Sequence, residues 1–175
     1  MSAGSGDAGD DQVGARILNA ALQLLRSSGP RAVTMQAVSE STGIAKTTIY
    51  RRHRDRRALL TASLEQLAQQ PQLDPGATPS QRLTWAIRQS IDVIANGIGV
   101  GGFAALLTNE DPDFSDVFRG ILVTYREQAV VALGTDTTDG DTVVDMIVGS
   151  YIAEFARSGT VDDTWADRIF TRLST

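Results

Sequence analysis

The 175-residue sequence predicts an all-α fold of about nine helices. Apolar residues recur through most of the chain at the i, i+3, i+4, i+7 spacing of an amphipathic helix. No segment shows the apolar–polar alternation that is typical of a half-buried strand. Glycine and proline fall where helices should end, as at Gly29-Pro30.

The N-terminal segment divides into a polar tail and a first helix. Residues 1–11 are small and polar, so we expect a disordered tail there. The periodicity predicts the first helix over Gln12–Ser28. One face of this helix collects its apolar residues, which are Val13, Ile17, Ala20, Ala21, Leu24 and Leu25.

Three shorter helices follow. Thr34 is a good N-cap for the second helix, because its hydroxyl can accept a hydrogen bond from a backbone N–H that has no partner within the helix. Gly43 permits the tight turn after it. The third helix is predicted over Ala45–Arg52, and the fourth runs from its N-cap Asp55 to about Gln69.

A proline-rich linker over Pro71–Pro79 marks a predicted boundary between a domain at 12–70 and a domain at 71–175. Beyond it we predict five more helices, with a polar loop at Thr135–Gly140 and a glycine-rich break at Gly97–Gly102. These helices are Ser80–Asn96, Gly102–Asn109, Asp113–Leu133, Asp141–Ser158 and Asp163–Leu173.

The overall charge of −5 is unevenly distributed along the chain. Nine basic and three acidic residues give Gln12–Gln70 a net charge of +6, whereas Pro71–Thr175 carries −8 and the first eleven residues carry −3. A basic module on an acidic body favours a polyanionic partner for the N-terminal part.

The composition argues against catalysis and metal binding. There is no cysteine, and His53 is the sole histidine. Disulfides and thiolate metal sites are therefore excluded, and little material remains for a histidine metal site or a Ser-His-Asp triad. Paired acids, such as Asp162-Asp163, lie at predicted helix ends, where they complement the helix dipole. We predict no enzymatic activity, no metal and no cofactor.

No secretory leader is evident, and no apolar run approaches the roughly 20 residues of a membrane span. We therefore expect a cytoplasmic protein without a membrane partner.

The segment Thr34–Arg52 has the layout of a helix-turn-helix, in which the second helix enters the major groove of DNA. Val38, Ile44 and Ile49 are spaced to close a small core that fixes the angle between the two helices. A cluster of arginines is placed to neutralise backbone phosphates. These are Arg51, Arg52, Arg54, Arg56 and Arg57.

The stretch TMQAVSESTGIAKTTIYRRHRDRRALL resembles the DNA-binding domain of the TetR family, and the likeness extends from about Arg16 to Leu67. The resemblance implies DNA-contacting roles by position. Thr34, Tyr50 and Arg56 are expected at backbone phosphates. Lys46, Thr47 and Thr48 are expected near the bases.

Two positions depart from the family pattern. Ala45 replaces a frequent serine, so one phosphate hydrogen bond should be missing. His53 stands where Phe or Trp is usual, and it can either pack there or, when protonated, pair with phosphate.

The resemblance also implies a homodimer in which the last two helices of each subunit form a four-helix bundle. The candidate interface residues are apolar, although burial within the subunit explains each of them equally well. They are Val144, Ile147, Val148, Tyr151, Ile152, Phe155, Trp165, Ile169 and Phe170.

TetR-like regulators commonly hold a small inducer, so we predict a repressor released from a palindromic operator in double-stranded DNA by a small, largely apolar ligand. The candidate lining residues, which simple core packing also explains, are Trp85, Phe103, Leu107, Phe114, Phe118, Leu122, Tyr125 and Met146. Candidates to orient a polar end of the ligand are Arg88, Asp92, Arg126 and Glu154. In the alternative, the body only dimerises or binds a protein partner, without an inducer.

Overall fold

The structure, a computed structural model, describes residues 5–67, 72–134 and 140–174. This described part contains nine α-helices and no β-strand, so the predicted all-α class is confirmed. The helices are α1 Ser5–Ser28, α2 Met35–Thr42, α3 Lys46–Arg52, α4 Arg56–Leu67, α5 Pro79–Asp92, α6 Gly99–Thr108, α7 Pro112–Leu133, α8 Gly140–Ser158 and α9 Trp165–Leu173.

Local capping residues set most of these boundaries. The Thr34 hydroxyl accepts a hydrogen bond from the Ala37 amide at 3.0 Å, as expected of an N-cap. The Asp55 carboxylate accepts one from the Ala58 amide at 2.8 Å, just before α4 begins. Thr78 and Gln81 form a reciprocal capping box at the start of α5.

Helix α1 begins earlier than predicted. It includes Ser5–Asp11, which we expected to be disordered. This segment has no apolar face, but Asp10 pairs with Arg52 from α3, and that contact contributes to the order of the extension. Most of the predicted polar loop Thr135–Gly140, the first four residues and the start of the linker at Pro71 lie outside the described residues.

The chain forms two compact units. The first comprises Met1–Gln69 and Gly97–Ile121, so residues 97–121 group with the N-terminal helices although they follow the predicted boundary in sequence. In this unit α1 packs against α2, α4 and α6. Its fully buried side chains include Ile17, Ile49 and Leu59.

The second unit comprises Gln70–Asn96 and Leu122–Thr175. Here α5 packs against α8 and α9. The core of this unit contains Leu83, Ile87, Ile91, Ile147 and Trp165.

One expectation about apolar runs needs correction. The continuous helical stretch Pro79–Thr108 is long and apolar enough, by length and composition alone, to cross a membrane. Its apolar side chains include Ile87, Ile94 and Ile98, which are all buried inside the protein. This burial is what a core helix requires, and it favours that interpretation over a membrane span.

Candidate nucleic-acid interface

The turn between α2 and α3 is fixed by side-chain hydrogen bonds to the backbone. Gly43 adopts a left-handed conformation (φ 70°), which glycine tolerates without steric cost. The Ser39 hydroxyl donates to the Ile44 carbonyl at 2.8 Å. The Thr42 hydroxyl donates to the Val38 carbonyl at 2.7 Å and accepts from the Ile44 amide at 3.2 Å. The turn therefore holds the two helices at a defined angle.

Beneath the turn lies the small core that the spacing predicts. Val38 and Ile49 are fully buried, and Ile44 is half-buried. Because Ile49 faces inward, the opposite face of α3 is directed to solvent. The structure thus gives α3 one apolar face and one open face.

The open face of α3 carries the residues expected to contact DNA. Lys46, Thr47, Tyr50 and Arg51 are exposed, Tyr50 by 52%. Thr48 is half-buried. Short hydroxyl side chains and cations together on an exposed short helix can reach base edges and phosphates.

The N-terminal end of α3 lacks a side-chain cap. Ala45 occupies the cap position and forms no side-chain hydrogen bond there. At the start of α2, Thr34 is half-buried and uses its oxygen as an acceptor, which leaves its hydroxyl hydrogen able to donate.

The arginines near α3 differ in exposure and in their acidic partners. Arg51 is exposed, and Arg54 is exposed beside Asp55, whose carboxylate lies 3.1 Å from the Arg54 Nε. Arg52, in contrast, is directed to Asp10 in α1. Arg57 lies 3.2 Å from the Asp113 carboxylate. Arg51, Arg54 and Arg57 are thus open to solvent, whereas Arg52 is only partly exposed.

Arg56, which we expected at a backbone phosphate, is bound in the structure by groups of the protein itself. Its Nε donates to the Val33 carbonyl at 2.8 Å and its Nη2 to the Pro30 carbonyl at 2.7 Å. The guanidinium also forms a two-pronged ion pair with Asp111. Arg56 thus anchors the start of α4 to protein groups, and a DNA contact from it stays a prediction.

The Arg56–Asp111 pair is largely withdrawn from solvent, since the side chains are 26% and 7% exposed. Burial acts to raise the pKa of Asp111, but the hydrogen bonds from Arg56 and from the Phe114 amide outweigh it and hold the pKa below its usual value. The carboxylate is therefore ionised at neutral pH.

His53 is half-buried at the C-terminal end of α3, and its amide donates to the Ile49 carbonyl at 2.8 Å. Burial, together with the positive charge of Arg52, lowers the pKa of His53 below its usual value. The neutral ring is therefore favoured at neutral pH, which supports the packing interpretation over pairing with phosphate.

Residues 17–63 match the family described as "Bacterial regulatory proteins, tetR family". The match covers 47 of the 175 residues, so it assigns this segment, and not the whole chain, to the TetR family. The matched residues contain the whole α2–turn–α3 motif, in agreement with the predicted helix-turn-helix. No sequence among the curated proteins is similar enough to count as a match.

Solved structures resemble this chain over nearly its full length. The multidrug binding protein EbrR, in a crystal structure with ethidium, is 17% identical with a TM-score of 0.59, and the match covers 94% of this chain and 97% of that one. A TetR transcriptional regulator from Rhodococcus sp. RHA1 is 21% identical with a TM-score of 0.53, and the match covers 96% and 94%. At these identities the likeness shows the fold alone.

The predicted interface residues lie in the second unit, and their burial is mixed. Val144, Ile147 and Trp165 are buried within the subunit. The others are only partly buried, namely Val148, Tyr151, Ile152, Phe155, Ile169 and Phe170. The partly buried set is the part of the prediction that leaves apolar surface for a second subunit.

An ion-pair cluster fixes the start of α9. Arg168 lies 2.5 Å from Glu154 in α8 and 2.8 Å from Asp162. Hydrogen bonds from Thr164, together with Arg168, lower the pKa of Asp162 to about 2. Glu154, proposed from sequence as a ligand contact, is therefore occupied by Arg168. Arg126 likewise pairs with Asp141 and Asp145 at 2.8 and 2.6 Å.

The predicted ligand residues do not all face inward. Phe114 and Phe118 are fully buried and stacked, with ring centroids 5.5 Å apart. Tyr125 is buried as well. Leu107 and Met146, in contrast, are exposed by 69% and 53%. The remaining three are partly buried, namely Trp85, Phe103 and Leu122.

The second unit contains a groove of about 460 Å³ that the sequence did not predict. None of the eight predicted ligand residues lines it, although Arg88 and Asp92, two predicted polar contacts, do. Tyr151 and Trp165 form part of its wall and pack edge to face, with ring centroids 5.3 Å apart. Within the described residues, no group of three or more potential metal ligands comes together.

Sequence reasoning also missed Asp10 and Asp111 as partners of the motif's arginines. Their partners Arg52 and Arg56 lie 42 and 55 residues away in sequence. The only signal in the sequence was the excess of arginines around α3 and α4, because partly buried arginines need acidic partners from other parts of the chain.

Proposed function

We propose that the protein is a TetR-family regulator and acts in the bacterial cytoplasm as a homodimeric repressor, which reads a palindromic operator and is released by a small, largely apolar ligand. The observation that carries the proposal is the open face of α3. Lys46, Thr47, Tyr50 and Arg51 are exposed there, while Ile49 on the opposite face is fully buried. A helix oriented in this way can enter a major groove without disturbing its own core.

A dimer follows from the size of the reading surface. One short helix contacts few bases, and two of them reach successive major grooves when they lie about 34–36 Å apart. The partly buried apolar residues of α8 and α9, among them Tyr151, Phe155 and Phe170, supply the surface that a second copy would cover.

The ligand part of the proposal is supported by EbrR, which was crystallised with ethidium. In the present chain the groove beside Tyr151 and Trp165 has a volume within the usual range for small-molecule sites. Its two aromatic side chains suit a flat aromatic ligand, and the rest of the wall combines apolar residues with polar ones such as Arg88 and Asp92. Such a ligand releases the repressor only if it binds the DNA-free conformation more tightly than the DNA-bound one.

A second candidate function is a body that only dimerises or binds a protein partner. It is favoured by the packing of Phe114 and Phe118, because two stacked and fully buried rings fill the region expected to be a pocket.

The test begins with duplex DNA selected from a random pool by the full-length protein. We expect replacement of both Thr47 and Thr48 by alanine to weaken binding to this duplex about thirtyfold, because two polar contacts of about 1 kcal/mol each are lost. The matched control replaces two exposed threonines elsewhere, Thr108 and Thr124. Light scattering should show the same dimer for both variants.

Equal affinity of the two double variants would contradict the α3 assignment. Ethidium tests the ligand. Because ethidium also intercalates into duplex DNA, its binding is measured on the DNA-free protein, where a higher melting temperature in micromolar ethidium supports the ligand-responsive repressor. An unchanged melting temperature supports the ligand-free alternative.

A further inference from the structure

The C-terminal end of α3 is tied to the N-terminal extension of α1. Arg52, the last residue of α3, donates from Nη2 to the Asp10 carbonyl at 2.8 Å. The same nitrogen pairs with the Asp10 carboxylate. The Arg52 side chain is only 19% exposed, so its charge is used within the protein.

Helix α1 also contacts the Arg52 side chain at Gly14. Gly14 lies one helical turn after Asp10, and a Cβ atom there would lie 3.4 Å from the Arg52 Nη1. The guanidinium therefore lies within contact distance of α1 at Gly14. Two residues further on, the Arg16 Nη2 donates to the Thr42 carbonyl at the end of α2 at 2.8 Å. Helix α1 therefore contacts the ends of both helices of the motif.

We propose that Asp10 is a positioning residue for DNA reading, which fixes the orientation of α3 through Arg52. The proposal rests on the proposed function. Helix α3 has only seven residues, too few to be stable by itself, so its direction depends on what holds its ends. Charge-assisted hydrogen bonds are directional, and a pair of them from one guanidinium resists rotation of the helix end.

The direction in which DNA affinity changes when Asp10 is replaced distinguishes a positioning role from charge repulsion between Asp10 and DNA. An acidic side chain near a DNA-binding surface repels phosphates, so its removal should tighten binding to any duplex. If Asp10 positions α3, its removal weakens binding to the preferred sequence and leaves binding to unrelated DNA nearly unchanged, because phosphate contacts tolerate small changes in helix direction better than base contacts do.

The experiment compares Asp10→Ala with Asp11→Ala in the full chain. Asp11 is the neighbouring exposed acid, so the two variants lose the same charge. The probes are the duplex selected by the wild-type protein and a random-sequence duplex of equal length. We expect Asp10→Ala to lower the ratio of selected to random affinity about threefold, the size expected for a partly exposed ion pair. Asp11→Ala should leave this ratio unchanged.

Arg52→Ala, which removes both contacts, should lower the ratio further. If Arg52 instead contacted phosphate directly, its removal would weaken both probes equally and reduce the slope of log affinity against log salt by about one. That result overturns the proposal. So does tighter binding of both probes by Asp10→Ala, or an equal ratio for the two aspartate variants.

Hydrogen exchange, measured without DNA, distinguishes a failure of the role of Asp10 from a failure of the proposed function. Hydrogen exchange of the amides from Thr48 to His53 should be faster in Asp10→Ala than in Asp11→Ala, because the end of α3 is released. Unchanged exchange overturns the proposal even if affinities fall. If the wild-type protein binds neither duplex, the proposed function fails, and the role of Asp10 in DNA reading fails with it. The exchange rates then show only whether Asp10 holds α3.

Discussion

Helices α3 and α9 are both short, with seven and nine residues, yet they present opposite surfaces. In α3 the apolar residue Ile49 is fully buried and the open face is polar and cationic. In α9 only Trp165 is buried, and apolar side chains such as Ile169 and Phe170 stay partly open. A polar open face suits a hydrated polyanion, whereas a partly open apolar face suits another protein surface.

The two helices also differ in how they are fixed. The segment around α3 is held by buried or partly buried arginines, Arg52 to Asp10 and Arg56 to Asp111. Helix α9 is held by Arg168, which is about half exposed. The difference teaches that α3 is held by contacts within its own subunit, whereas α9 keeps a partly open apolar face, which the proposed dimer would cover.

The largest expected effect concerns the Arg56–Asp111 ion pair, which holds the segment next to α3. Asp111→Ala should lower the free energy of unfolding by about 3 kcal/mol, because it leaves Arg56 partly buried without its carboxylate. Denaturant titration followed by circular dichroism measures it. The control is Asp116→Ala, an exposed acid beside Arg57, with an expected change below about 1 kcal/mol. Similar losses in both variants would show that burial does not distinguish the two pairs.

A smaller effect concerns the open face of α9. Phe170→Asp should raise the dissociation constant of the dimer about thirtyfold, because a charge replaces an aromatic ring at the proposed interface. The neighbouring exposed residue gives the control Thr171→Asp, which adds the same charge to the same helix. Sedimentation over a range of concentrations measures both. Equal dissociation constants would remove Phe170 from the interface and weaken the contrast with α3.

The smallest effect is the pH dependence of the α9 cluster. The pKa of Asp162 is lowered to about 2, so its stabilising contribution is complete above its ordinary value of 3.8 and is lost as the pH falls from there to about 2. The melting temperature of Asp162→Asn should therefore lie below that of the wild type at pH 5, and the two should converge near pH 2. Asp163→Asn is the control and should show no such convergence.

The elements that sequence predicted well are those set by neighbouring residues. Thr34 and Gly43 mark the ends of α2 through hydrogen bonds and backbone angles a few residues away, so their roles were evident from the sequence. The open face of α3 followed from the position of Ile49. The start of α1 was not predictable by periodicity, because Ser5–Asp11 has no apolar face and depends on a contact with α3.

The site was predicted less completely than the fold. Arg56 was assigned to phosphate by its position in the family pattern, but its partner Asp111 lies 55 residues further along the chain, beyond the reach of local patterns. The groove beside Tyr151 and Trp165 was missed for the same reason, since α5, α8 and the start of α9 each supply part of its wall.

The helical stretch Pro79–Thr108 contains a short segment with wider turns between α5 and α6. Residues Val93–Ile98 form a π-helical segment, and the division between the two units falls within it, after Asn96. Such a segment inserts an extra residue, which rotates every later side chain by about 100° around the axis. Gly99, the first residue of α6, follows this segment with a left-handed conformation (φ 71°). Deletion of one residue from Val93–Ile98 would remove the extra rotation, so Leu106 and the other side chains of α6 would turn away from the core that they now fill in their own unit.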